Sequence, residues 1–195
     1  MISLNILAAL LTEKTLEILH RDYMEDDVRV VITTKNIHIP TNEGLTELSK
    51  GSEYVVPRWI AQILREKELA VIKEEELSIT SLSTLAYLEE DLIKKRKFNK
   101  IYRFFYMHGL NKLSELKAKL RETSNMELYD NYRKMKELVS TIGMVRIRKL
   151  LDLVLLPNIP IEIYETLTNE EKTMLTILTT IIKNWMEKLE IVETK

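Results

Sequence analysis

The sequence contains no cysteine and only four glycines and four prolines among 195 residues. Without cysteine there is no disulfide framework, no cysteine zinc site, no iron–sulfur cluster and no thiol nucleophile. So few glycines and prolines exclude a collagen, a glycine-rich linker and a turn-dense all-β sandwich. The net charge is only −1, so bulk charge alone gives no reason to expect binding to nucleic acid.

Long hydrophobic runs are also scarce. The apolar stretch 2–11 is too short to span a bilayer and is not preceded by a basic residue, unlike a signal peptide. The stretch 145–156 is as apolar but carries four charged residues. We interpret both stretches as core helices and expect a cytoplasmic protein.

Hydrophobic residues make up 45% of the chain and charged residues 30%, a mixture that can bury a core and favours helices. Residues 1–76 hold nine basic and fourteen acidic residues, whereas residues 77–195 hold twenty basic and sixteen acidic. We therefore predict an α+β protein of two domains, joined by the short charged stretch 73–76. The first is a small β-rich domain with an N-terminal helix, and the second is an all-α helical bundle.

In the first domain, the pattern predicts a helix over residues 4–20 and a second helix from Pro57 to about 67, because proline fits the first turn of a helix. β-branched residues predict strands over 28–33, 37–39 and 70–72. Residues 53–56 are predicted to be extended because a proline follows them. The stretch 41–52 is predicted to be mostly loop. The residues expected on the buried face of the second helix are Trp59, Ile60, Ile63 and Leu64.

In the second domain, apolar residues at helical spacing predict helices over 80–97 and 99–121. A capping box, Ser124 to Glu127, predicts a helix that Gly143 bends or interrupts before the apolar stretch 144–156. A second capping box, Thr168 to Glu171, predicts a last helix through Leu189.

The chain offers little for catalysis. None of its three histidines has another metal ligand at a recognised spacing, and there is no phosphate-binding glycine loop or nucleophile elbow. Neighbouring acidic residues such as 89–91 do not face each other on a helix, so solvation explains them. We predict no catalytic, cofactor-binding or metal-binding residue and no enzyme. A small hydrolase would need a pocket of acidic residues with perturbed pKa values, and loss of turnover on mutation of Glu89 or Asp91 would support it.

Two basic clusters leave alternatives open. The first holds Lys94, Lys95, Arg96 and Lys97 and is followed by aromatic residues, so it could bind a single strand of DNA or simply complement the end of a helix. In the second, Arg146 and Arg148 could contact a partner. Alternatively, Arg146, Lys149 and Asp152 form a structural stripe of ion pairs at i,i+3 spacing.

Six aromatic residues could fill the core of the bundle or line an obligate interface between subunits, where tyrosine and tryptophan are enriched. They are Tyr102, Phe105, Tyr106, Tyr129, Tyr132 and Trp185.

One stretch is more specific. Residues 51–64 resemble the G-x-x-V-x-(apolar)-P-x-W-x-A-x-x-L pattern of the GINS family of replication factors, with the valine one place later than in that pattern. The matching residues are Gly51, Val55, Pro57, Trp59, Ala61 and Leu64. A small β-rich domain followed by a helical domain is similar to the two/three type of GINS subunit. The stretches 146–151 and 167–185 look like the family's helical-domain ending.

The resemblance implies a non-catalytic scaffold in DNA replication, without a cofactor. A GINS assembly holds the MCM helicase in its active form, together with a RecJ-like partner. An archaeal chain of this type would join its sister subunit in a two-plus-two heterotetramer at the replication fork on the nucleoid. The tryptophan would anchor its helix on the small sheet. A different class of function also stays open, namely a DNA-binding regulator with a helical dimerisation domain that uses residues 94–103.

Overall fold

The structure is a computed structural model that describes residues 4–34, 36–41, 44–74, 77–93, 97–123, 125–156 and 158–189. The chain forms two compact units, Met1–Glu76 and Leu77–Lys195. The first unit combines short antiparallel strands with helices and the second is helical, which confirms the predicted α+β class. None of the helices described is long and apolar enough to cross a bilayer.

The first unit is built on a small antiparallel sheet. Its elements are α1 (Leu4–Met24), β1 (Asp27–Ile32), β2 (Ile37–Thr41), β3 (Gly44–Leu48), β4 (Glu53–Pro57), α2 (Arg58–Glu66) and β5 (Ala70–Lys73). Strand β1 lies between β4 and β5, while β2 and β3 form a separate hairpin. Helix α2 packs against the three-stranded sheet and closes the core of the unit.

Strand β3 corrects the prediction of a loop over residues 41–52. Only Leu48 of this strand is buried, so its sequence has no alternation of apolar and polar residues that would reveal it. Leu48 pairs with Ile37 across the hairpin, and both join the core of the unit. Gly51 has a φ of +81°, which glycine adopts without strain, so the turn before β4 favours this residue.

Helix α2 buries only part of the predicted face, since Leu64 lies in the core and Ile60 packs against it. Ala61 and Leu64 lie in the core, but Trp59 and Ile63 are each 43% exposed. The prediction that Trp59 anchors the helix on the sheet is therefore wrong. Helix α2 begins at Arg58, with Pro57 as its N-cap. In this register Arg58 is buried and Trp59 faces outward.

Arg58 is the buried anchor at the start of α2. Its guanidinium carbon lies 4.2 Å from the centroid of the Tyr23 ring. It pairs with Asp26 at 3.6 Å and also with Glu74. These contacts join the end of α1 and the residue after β5 to the helix. Arg58 therefore anchors α2 in the way that was predicted for Trp59.

The second unit is organised around its longest helix. Its helices are α3 (Ile79–Asp91), α4 (Phe105–Glu122), α5 (Met126–Val154), α6 (Ile161–Thr166) and α7 (Asn169–Lys188). Helix α5 packs against α3, α4 and α7. Helix α3 ends earlier and α4 begins later than predicted, because residues 97–104 form an irregular segment between them.

Gly143 does not interrupt α5, which runs unbroken for 29 residues. A Cβ atom at this position would lie 3.3 Å from the Tyr106 ring. The glycine is thus explained by the close approach of an aromatic side chain of α4, and the predicted interruption is wrong.

The second capping box is confirmed. The Glu171 amide donates to Thr168 Oγ1 at 3.2 Å, and the Thr168 amide donates to Glu171 Oε2 at 2.9 Å. Ser124 of the first box lies outside the described residues. Helix α5 is capped by Asn125, whose Oδ1 accepts a hydrogen bond from the Leu128 amide at 3.2 Å.

The burial of α2 predicts a large difference between two neighbouring substitutions. Leu64→Ala leaves a cavity in the core and should lower the free energy of unfolding of the first unit by about 2–5 kcal/mol. Ile63→Ala removes an exposed side chain and should change it by less than about 1 kcal/mol. Chemical denaturation of both variants measures this, and equal losses would contradict the described register of α2.

Candidate functional site

Four charged side chains meet in the interior of the helical unit, and we call them the buried network. They are Glu89 of α3, Arg146 and Lys149 of α5, and Glu171 of α7, and none is more than 2% exposed. Two cations balance two carboxylates, so the group carries no net charge. Buried ions are tolerated only when they are paired and their hydrogen bonds are satisfied.

Every N–H group of the Arg146 guanidinium has a hydrogen-bond acceptor. Its Nε and Nη2 donate to the two carboxylate oxygens of Glu171 at 2.6 and 2.7 Å, a bidentate contact. Its Nη1 donates to Glu89 Oε1 at 2.6 Å and to the Asn99 carbonyl at 3.0 Å. Nη2 also reaches the Thr166 carbonyl at 3.3 Å. All five N–H groups of the guanidinium therefore have acceptors.

Lys149 is satisfied in the same way. Its ammonium donates to the Glu89 carboxylate, to the Glu89 carbonyl at 3.3 Å and to the Lys97 carbonyl at 2.9 Å. The buried ring of Phe98 lies beside both cations, with its centroid 4.8 Å from Lys149 Nζ and 5.0 Å from the guanidinium carbon of Arg146. The ring adds a cation–π contact in a site closed to water.

The carboxylates also bind groups from α4 and from the irregular segment. Glu89 Oε1 accepts the Asn99 amide at 3.0 Å. Glu171 Oε1 accepts the Tyr106 hydroxyl at 2.7 Å. Next to it, Glu170 Oε1 accepts the Met107 amide in the first turn of α4 at 3.1 Å. The network therefore fixes α3, α4, α5, α7 and the start of the irregular segment relative to one another.

The protonation states follow from burial and pairing. Burial alone would raise the pKa of the Glu89 carboxyl, but Arg146 and Lys149 outweigh it and the pKa lies below its usual value. Burial lowers the pKa of Lys149, and Glu89 offsets only part of this effect. Burial, followed by the Glu171 carboxylate, raises the pKa of the Tyr106 hydroxyl. Pairing therefore favours the charged form of Glu89, whereas burial favours the protonated form of the Tyr106 hydroxyl.

This arrangement is suited to holding helices together. Every charged atom of the network faces another member or a backbone group, and the cluster is closed to solvent. Among the residues described, no group of three histidine or acidic side chains could hold a metal ion. The network is a structural centre, and the surfaces that can meet partners lie elsewhere.

Some of the basic residues predicted to contact DNA or a partner are buried and others are exposed. Arg146 is fully buried, so its use as a contact for DNA or for a partner is contradicted. The ion-pair stripe along one helix is also corrected: Arg146 and Lys149 pair with Glu89 and Glu171 of other helices, whereas Asp152 is exposed. Arg148 and Lys97 are exposed. Lys94, Lys95 and Arg96 lie outside the described residues.

The six aromatic residues proposed for the core or an interface also differ in burial. Phe105 lies in the core, and Tyr106 packs against that core and binds the buried network, so neither is available to an interface. Tyr102 and Tyr132 are half-buried. Tyr129 is 51% exposed and Trp185 is 66% exposed, so these two remain accessible to a partner.

Some residues that match the GINS pattern are buried and others face solvent. Ala61 and Leu64 lie in the core, and Gly51 lies in a turn with positive φ. Val55 is 61% exposed on β4, whereas its neighbour Val56 is buried. The valine that is one place out of register with the pattern is thus also the one that faces solvent.

Sequence reasoning missed Glu89 and the buried role of the α5 cations, although a signal exists. Glu89 continues the series Leu82 and Ala86 on the buried face of α3. Arg146 and Lys149 lie among the buried apolar positions of α5. Opposite charges at core positions of two different helices indicate a buried pair, because neither charge could be buried alone.

No protein-family model matches the chain, and no curated protein matches it significantly.

The network predicts a sharp contrast between two arginines of α5. Arg146→Met leaves Glu89 and Glu171 buried without their shared cation, so it should lower the free energy of unfolding by about 3–5 kcal/mol. Urea denaturation followed by circular dichroism measures the loss.

Arg148→Met is the matched control, since this arginine is exposed on the same helix. It should change the free energy of unfolding by no more than about 0.5 kcal/mol. A similar loss in both variants would show that Arg146 does not have the structural role described here.

Glu170 predicts a pH dependence. Burial raises the pKa of its carboxyl, and within the described part of the chain its Oε2 has no hydrogen-bond partner. A raised pKa in the folded state penalises folding above that pKa, and the penalty disappears below the unfolded value of about 4.3. Glu170→Gln keeps an acceptor for Met107, so it should be more stable than the wild type at pH 7.

That advantage should shrink towards zero as the pH falls to about 4. Glu162→Gln, at an exposed position of α6, is the control and should show no such trend. Denaturation curves at several pH values test this, and a constant difference between Glu170→Gln and the wild type would contradict it.

Proposed function

We propose that this chain is a non-catalytic scaffold subunit of a GINS-type assembly that supports the MCM helicase together with a RecJ-like protein. Three features support the proposal: the resemblance of residues 51–64, the order of a β-rich unit before a helical unit, and an apolar face on the last helix. The third carries most weight, because a subunit of this kind acts through the surfaces that it offers to partners.

The apolar face runs along α7 and beyond its end, and we call it the α7 stripe. It consists of Ile177, Ile181, Trp185 and Leu189, which are 40%, 55%, 66% and 53% exposed. Residues four apart lie on one side of a helix. A row of four large apolar side chains facing water is costly, and such patches mark interaction sites.

Neighbouring threonines on α7 make few demands on a partner. Thr176 and Thr180 are exposed, but their hydroxyls donate to the carbonyls of Lys172 and Thr176, each at 2.8 Å. These hydroxyls are satisfied within the helix, so the side of α7 away from the stripe has no need of a partner's hydrogen bonds. Tryptophan at the centre of such a patch is a frequent source of binding energy.

The interior supports a role without catalysis. The carboxylates of Glu89 and Glu171 are closed to solvent and bound by Arg146 and Lys149. A scaffold needs no reactive group, since it activates a helicase simply by binding the working conformation more tightly than the idle one. In the proposed two-plus-two tetramer, the α7 stripe is covered by the sister subunit.

Co-expression with a sister GINS subunit, a RecJ-like protein and MCM tests the proposal. The wild-type chain should enter a stable complex whose intact mass fits two copies of each GINS subunit. Ile181→Lys places a charge in the stripe and should weaken subunit binding about 30-fold or more, since central interface residues contribute at least about 2 kcal/mol. The free energy of unfolding should change little, because Ile181 is exposed.

Thr176→Lys is the matched control, as it adds the same charge at an exposed position towards the other side of α7. It should bind like the wild type. The proposal would fail if the wild-type chain bound none of these partners, or if both variants weakened binding equally. A homodimer that Ile181→Lys dissociates would instead favour the regulator with a helical dimerisation domain.

A further inference from the structure

A row of cations lies on the irregular segment between α3 and α4, and we call residues 97–103 the basic segment. Lys97, Lys100 and Arg103 are exposed, whereas Phe98 is buried. An extended chain covers at most about 3.6 Å per residue, so the Cα atoms of successive cations in the row are no more than about 11 Å apart. They are close enough to act on the same polyanion.

The backbone of the basic segment is held at both ends by the helical unit. The Lys97 carbonyl accepts from Lys149 at 2.9 Å, and the Asn99 carbonyl accepts from Arg146 at 3.0 Å. At the other end, the Arg103 carbonyl accepts the Asn169 amide at 2.7 Å. Because the backbone is already ordered, a ligand that meets these cations loses less entropy on binding.

Positive charge is concentrated in the sequence around the basic segment. The buried network is neutral as a group, with two cations and two carboxylates. The sequence from 92 to 114 holds seven lysines and arginines and no acidic residue, in a chain whose net charge is −1. Charge grouped in this way attracts anions, although the whole chain does not.

Complementing a helix dipole does not account for the cations. Helix α3 ends at Asp91 and has no basic residue in its last turn. A dipole acts mainly on charges within that last turn, and Lys97 comes six residues later in the chain. The sequence interpretation of this cluster as an ordinary helix end is therefore weakened for Lys97 and for the cations that follow it.

We propose that the basic segment is a contact site for single-stranded DNA. Lysine-rich sites bind phosphates without regard to sequence, and single-strand sites combine such cations with aromatic rings on which bases stack. Half-buried Tyr102 lies within the segment and contacts half-buried His108 edge to face, with ring centroids 5.5 Å apart. An acidic peptide would use the cations but not the rings. This contact is not required by the scaffold function.

Fluorescence anisotropy with a labelled 20-nucleotide oligothymidine tests the proposal on the full-length chain. The triple variant Lys97→Ala, Lys100→Ala, Arg103→Ala should bind at least about tenfold more weakly in 50 mM salt. The slope of log K against log salt should fall by about 2, because each phosphate contact contributes about 0.7 for a single strand.

The matched control is Lys117→Ala, Lys119→Ala, Arg121→Ala, which removes the same residue types at exposed positions of α4. It should lose less than about twofold in affinity, since these residues lie outside the basic segment. Tyr102→Leu should lose at least about fivefold with the salt slope unchanged, because stacking does not depend on salt.

Three results would overturn the proposal. The first is no detectable binding of the wild-type chain at 50 mM salt. The second is an equal loss in the control, which would attribute binding to net charge alone. The third is polyglutamate competing as well as the oligonucleotide while Tyr102→Leu has no effect, which would indicate an acidic protein partner. These outcomes do not depend on subunit assembly, so failure of this proposal would not count against the proposed scaffold function.

Discussion

The helical unit depends on the condition that two cations in its interior must be fully paired. Arg146 and Lys149 bring eight N–H groups into the core, and each has an acceptor in Glu89, Glu171 or a backbone carbonyl. Moving any of these acceptors would leave a buried donor without a partner, which costs more than a hydrogen bond normally contributes. The positions of α3, α5, α7 and the basic segment are therefore linked.

This constraint also organises the surface. The network takes up Glu89 and Arg146, which first appeared available for chemistry or for DNA, and the α7 stripe and the basic segment are among the accessible features of the described part of the unit. One is apolar and suits a protein partner; the other is cationic and suits a polyanion. In the proposed assembly, the α7 stripe would bind the sister subunit and the basic segment would bind single-stranded DNA.

Much of the fold could be predicted from the sequence, because most elements carry local signals. The strand Asp27–Ile32 is rich in β-branched residues, and the Thr168 capping box marks the start of α7. The errors have non-local causes. Strand β3 buries only Leu48. Arg58, not Trp59, is the buried anchor of α2, and its partners Tyr23 and Glu74 are distant in sequence. Residues 97–104 are not helical, and their carbonyls accept hydrogen bonds from Arg146 and Lys149 of α5 and from the Asn169 amide of α7.

Hydrogen exchange at the Asn99 amide tests the central claim most directly. This amide lies outside any helix or strand and donates to the buried carboxylate of Glu89. If the network organises the unit, the amide should exchange as slowly as the core amides of α5 around Leu150, since both then open only when the unit unfolds. Exchange as fast as that of an exposed loop would contradict the account.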